Sequence, residues 1–136
     1  MISNGFLFDR AMVEKAKTLW NLKTIQVTFD GTEANYNKIK AYVCNSGNPY
    51  QRVMENIGLL LDFGINVIVR MNFDEENAED YFNLCTYVSN RFGAKPNLRV
   101  VPHMVNDHYL NFKGKKQGKD EKWYDSKKAE LVKYTQ

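Results

Sequence analysis

Two stretches decide the fold: Thr24-Ile25-Gln26-Val27-Thr28-Phe29-Asp30-Gly31 and Asn66-Val67-Ile68-Val69-Arg70-Met71-Asn72. Both alternate with the period of a β-strand, whose successive side chains point to opposite faces. Ile25, Val27 and Phe29 share one face of the first, and Thr24, Gln26, Thr28 and Asp30 the other. In the second, Val67, Val69 and Met71 oppose Asn66, Ile68, Arg70 and Asn72. Asp30-Gly31 ends the first run as a turn would. Leu98–Val101 is a third short strand.

Helical patterns separate these strands. Asp9 caps a helix over residues 10–20, with Ala11, Met12, Val13, Ala16, Leu19 and Trp20 as its apolar face. A short polar helix covers Glu33–Tyr42, and Cys44–Asn48 reads as a loop. Pro49 suits a helix start. Tyr50–Phe63 then places Val53, Ile57, Leu60 and Leu61 on one face, and Gly64 ends it. Glu76–Phe92 has Tyr81, Phe82, Leu84, Cys85, Val88 and Phe92 on its core side, with Gly93 behind it. From His103 to about Asp125 the pattern is irregular, and Ser126 caps a last short helix through Tyr134.

Strands joined through long helices need crossover connections, which implies parallel pairing. Right-handed crossovers in one direction put every helix on the same side of the sheet. The apolar strand faces then meet the helices, and the polar faces look into something wet. The expected fold is therefore α/β: a fragment of a partial β/α barrel, with about three parallel strands and helices on one face. Thr28, Asp30, Arg70 and Asn72 stand near the C-terminal strand ends, where sites in such folds are built. The alternation alone also fits a polar face that simply meets solvent.

Composition sets the bounds. With 136 residues, 43% hydrophobic and 26% charged, the chain is sized for one globular domain. Its apolar runs are too short to cross a bilayer, and Met1–Gly5 has no leader pattern, so a cytoplasmic location is expected. Residues 1–112 hold 11 basic and 12 acidic side chains, whereas 113–136 hold 8 lysines and 4 acids. The chain divides accordingly into a domain over 1–112 and a basic tail over 113–136 with its short helix. That tail lacks the interleaved aromatics of a nucleic-acid face, so nucleic acid is an unlikely partner. Cys44 and Cys85 fit no metal-ligand spacing. No glycine-rich phosphate loop stands at any strand-to-helix turn.

Thr24-Ile25-Gln26-Val27-Thr28-Phe29-Asp30-Gly31-Thr32-Glu33 followed by Tyr36–Tyr42 resembles the fourth barrel strand and following loop of radical S-adenosylmethionine enzymes. The branch that matures peptides and sulfatases is the nearest in pattern. Val53–Asp74 with Glu76-Asn77 after it resembles the next helix and strand, and Ser3-Asn4-Gly5 the end of the third strand. The likeness covers roughly residues 3–102 in the right order. It implies that Thr28, Asp30, Lys40, Arg70 and Asn72 bind the cofactor, with Lys40 facing its carboxylate and Pro102, beside Val101, lining the adenine side. Each has a plainer alternative: a strand-ending turn at Asp30, a solvated Lys40, an Arg70–Asp30 pair, an Asn72 bonded to loop backbone. His103 and His108 have no ligating partners nearby in sequence.

The family's chemistry also needs a C-x-x-x-C-x-x-C loop whose thiolates hold a [4Fe–4S] cluster. That loop and the Gly-Gly-Glu segment of the second strand do not occur here. The resemblance therefore implies a truncated radical S-adenosylmethionine oxidoreductase domain, inactive alone, binding neither cofactor nor cluster tightly. Its parent would modify a peptide or protein. Its partner would be the missing front half of the barrel or a second copy joined along the exposed sheet edge. The other reading is a non-catalytic α/β module that binds a partner or peptide.

Overall fold

The alternating stretches pair as their patterns require. The structure, a computed structural model, describes residues 1–40, 47–104 and 121–133. Its elements are β1 (Ile2–Ser3), α1 (Arg10–Thr18), β2 (Thr24–Phe29), α2 (Glu33–Lys40), α3 (Pro49–Asp62), β3 (Asn66–Phe73), α4 (Asp80–Phe92), β4 (Leu98–Met104) and α5 (Glu121–Lys133). The strands form one sheet in the order β1-β2-β3-β4, parallel throughout. This is an α/β fold of the kind that a segment of a partial β/α barrel presents.

Ile25, Val27, Phe29, Val69, Met71 and Phe73 are all fully buried. They join one core with Val13 and Ala16 of α1, Tyr36 of α2, Val53, Ile57 and Leu60 of α3, Tyr81, Leu84 and Val88 of α4, and Leu131 of α5. The helices that precede β4 thus lie on one side of the sheet, as one-way crossovers demand, and α5 adds Leu131 to the same core. Each such side chain contributes about 1.5–3 kcal/mol by leaving water.

Helix ends follow local chemistry. Asp9 accepts from the Met12 amide (2.9 Å) at the start of α1. Asn48 accepts from the Tyr50 amide (3.1 Å), with Pro49 in the first turn of α3. Gly64 (φ 70°) and Gly93 (φ 69°) follow α3 and α4 in the left-handed conformation that glycine adopts without strain.

Among the described residues β1 adds a short fourth strand to the expected parallel sheet, pairing at Ile2 and Ser3 with Gln26 and Val27. Four expectations need correction. Leu19 and Trp20 are 74% and 53% exposed, because α1 stops at Thr18 and the chain turns away before they reach the core. The helix expected from Glu76 begins at Asp80, because Asp74 and Asn77 bond each other's backbone and hold 74–79 in turns. β4 runs on through Pro102 to Met104; proline is tolerated there because β4 is the last strand of the sheet among the described residues. α5 starts at Glu121 rather than Ser126 and buries Tyr124 and Leu131, so this part of the basic segment belongs to the domain. The calls on residues 41–46 and 105–120 (the Cys44 loop, most of the irregular stretch and His108) lie outside the described residues.

Candidate functional site

The polar strand positions share one face. Thr28 stands in register with Arg70, and Arg70 with Val101; Gln26 stands opposite Ile68, and Asn72 opposite His103. Antiparallel pairing, or Thr28 and Arg70 on opposite sides, would have broken the reading of the sequence; neither occurs.

At the C-terminal rim of this face the loops are tied together. Asp30, directly after β2, is buried. Lys40 closes α2, where a cation complements the helix dipole, and its Nζ lies 2.8 Å from Asp30 Oδ2. Asn72 Nδ2 donates to Asp30 Oδ1 at 3.4 Å. Asn77 Nδ2 donates to the carbonyls of Asp30 (3.3 Å) and Asn72 (3.1 Å), joining the ends of β2 and β3.

Asp80, the first residue of α4, reaches across to the start of α2. Its carboxylate accepts from the Thr32 amide (2.6 Å), the Thr32 hydroxyl (2.9 Å) and Asn35 Nδ2 (3.0 Å). Burial pushes its pKa up, but the bonds from Thr32, Asn35 and Asn83 outweigh burial and hold it below the ordinary aspartate value. Gly31, at φ 122°, passes so close beneath Asp80 Oδ2 that a Cβ would collide with it.

The middle of the face is different. Among the described residues, no hydrogen-bond partner meets the buried Gln26 Nε2, Arg70 Nε or Asn72 Oδ1. Ion pairs among the described residues include none to Arg70 or Arg99. His103 is held below its ordinary pKa by burial first, then by the charges of Arg70 and Lys128.

Of the six residues named from the sequence, Thr28, Asp30, Arg70 and Asn72 meet on this face, and Lys40 reaches it through Asp30. Pro102 does not: it is buried in register with Met71, on the helix side, and Val101 takes the open-face position beside it. The reason is parity, since β4 continues past Val101 and adjacent residues must point opposite ways. The alternative Arg70–Asp30 pair also fails to form, because Lys40 already holds Asp30. Sequence reasoning missed Gln26, Asn77 and Asp80. Asn77 and Asp80 fall within the helix expected over Glu76–Phe92; the Asp74-x-x-Asn77 spacing, which favours a side-chain-closed turn, is the available signal.

A cavity of about 320 Å³ opens at the opposite ends of the strands, beside Thr24, Asn66 and Pro96. Parallel sheets do not build their sites there, so the rim and the open face remain the candidate. Cys85 is half-buried on α4, and burial raises its thiol pKa, which disfavours a thiolate ligand. Groups of three or more potential metal ligands are absent among the described residues. No helix of the described residues is long and apolar enough to cross a membrane. No protein-family model matches the chain, and no curated protein matches it.

Proposed function

We propose that this chain is the back half of the core barrel of a radical S-adenosylmethionine oxidoreductase, a cytoplasmic enzyme whose parent form modifies a peptide or protein. The observation that carries the reading is the register of Thr28 with Arg70 on the polar face of a parallel sheet, the face that no helix core of the described residues covers. That face holds unpartnered donors and acceptors at Gln26, Arg70 and Asn72. They suit a polar cofactor better than a face evolved only to meet water, because buried polar groups are ordinarily satisfied.

The cluster does not fit this chain. Three thiolates are required, and the chain has two cysteines, 41 positions apart at Cys44 and Cys85. Ligands from outside these residues would have to hold it, so this chain alone carries no radical step. When bound, S-adenosylmethionine and the cluster together supply the 5′-deoxyadenosyl radical. The role of these residues is to bind and orient: Thr28 and Asn72 present hydrogen-bonding groups, Arg70 a charge, and the Asp30–Lys40 pair a fixed wall.

The partner half would dock along β1 and α1. Met1, Ile2, Leu7, Leu19 and Trp20, five of the large exposed apolar side chains, all lie in or next to β1 and α1 along the chain. β1 pairs over two residues, leaving most of β2 without a strand neighbour on that side among the described residues. Self-association along the same flank would cover it in the isolated chain.

The reading frame upstream of the chain tests this. It should encode a C-x-x-x-C-x-x-C loop, and the longer protein, reduced under anaerobic conditions with S-adenosylmethionine, should yield 5′-deoxyadenosine. An upstream frame without that loop would defeat the proposal and favour a non-catalytic module.

A further inference from the structure

We infer that the β3–β4 half of the open face is a seat for an anionic group, a carboxylate or phosphate, centred on Arg70. Arg70 lies in register with Val101, so Arg99 and His103 are its diagonal neighbours on the same face. Diagonal positions on neighbouring strands are within reach of long side chains. Lys128 of α5 adds a further positive charge that acts on His103. The acid on the same face, Asp30, is neutralised by Lys40 at 2.8 Å.

A partly buried guanidinium beside like charges is unfavourable unless something answers it. The Nε of Arg70 is inaccessible and has no hydrogen-bond partner among the described residues. Gln26 Nε2, diagonally across on β2, is a second buried donor without an acceptor. Arg70 and Gln26, partly buried side chains on adjacent strands flanked by Arg99 and His103, define a place where an oxyanion replaces repulsion with charge-assisted hydrogen bonds. A planar carboxylate would take the fork of Arg70, and a phosphate would engage His103 as well.

The inference takes the open face as a binding face but requires neither the cluster nor S-adenosylmethionine, so it can stand or fall separately from the proposed function. The test uses the full 136-residue chain and follows the His103 imidazole by NMR, with His108→Gln assigning the two histidines. Inorganic phosphate and glutarate are titrated separately. A saturable response that raises the His103 pKa is expected, because a bound anion offsets Arg70 and Lys128. Tighter phosphate binding would identify a phosphorylated ligand, and tighter glutarate binding a carboxylate-bearing one. Arg70→Gln should weaken either by at least about tenfold, the worth of a charge-assisted bond. Should Arg70→Gln fail to fold, Gln26→Leu in place of it should weaken binding severalfold. An unsaturable response, or one retained in full in the variants, would overturn the seat and leave a hydrated arginine only.

Discussion

The rim and the middle of the open face are built from the same kinds of residue yet are treated differently by the fold. At the rim every charge is answered: Asp30 by Lys40 and Asn72, Asp80 by Thr32 and Asn35. In the middle, Arg70 and Arg99 have no ion pair among the described residues, and His103 sits beside like charge. The rim therefore behaves as structure, holding two loops and two strand ends in place. Arg99 and His103 are exposed, so water can solvate them, whereas Arg70 is only partly exposed and is the charge of this face that lacks an answer among the described residues.

The sharpest break in this contrast would come from Asp80. Asp80→Ala removes the acceptor of bonds from the Thr32 amide and hydroxyl, Asn35 and Asn83, and should cost about 2–3 kcal/mol in chemical denaturation. A loss under about 0.5 kcal/mol would show the rim to be ornamental. Gly31→Ala should cost about 1–3 kcal/mol, because a Cβ is strained at φ 122° and meets Asp80 Oδ2. Combined with Asp80→Ala it should cost less than the sum, since the collision partner is gone. Asn77→Ala, which frees the carbonyls of Asp30 and Asn72, should cost about 1–2 kcal/mol.

The pH dependence separates the two regions further. The folded-state pKa of Asp80 is lowered, so its contribution is present above the ordinary value of 3.8 and is lost as pH falls through the folded-state value. Asp80→Asn should flatten the acid limb of a stability–pH curve. His103 is also lowered, but it is a base: the unfolded chain takes up its proton first, so stability falls as pH drops below 6.5. Arg70→Gln should raise the His103 pKa and shrink that loss.

Much of the fold was legible because alternation in Thr24–Phe29 and Asn66–Asn72 leaves one choice of buried face, and Gly64 and Gly93 mark helix ends without ambiguity. Pairing Thr28 with Arg70 followed from that alternation. What stayed illegible depends on long-range contact. Nothing local at Asp80 announces that it bonds Thr32, 48 positions away. The family resemblance places Pro102 at the open face, beyond a strand expected to end at Val101; the continuation of β4 to Met104 turns it to the helix side. The last helix looked like solvated tail because its lysines mask two buried residues, Tyr124 and Leu131, spaced seven apart on one face.

The unfolding free energy of Arg70→Gln tests the account most directly. If the charge on the open face serves a ligand and not the fold, the variant should match the parent within about 0.5 kcal/mol or exceed it. A loss of about 2 kcal/mol or more would mean that Arg70 holds the sheet together, and would contradict the account.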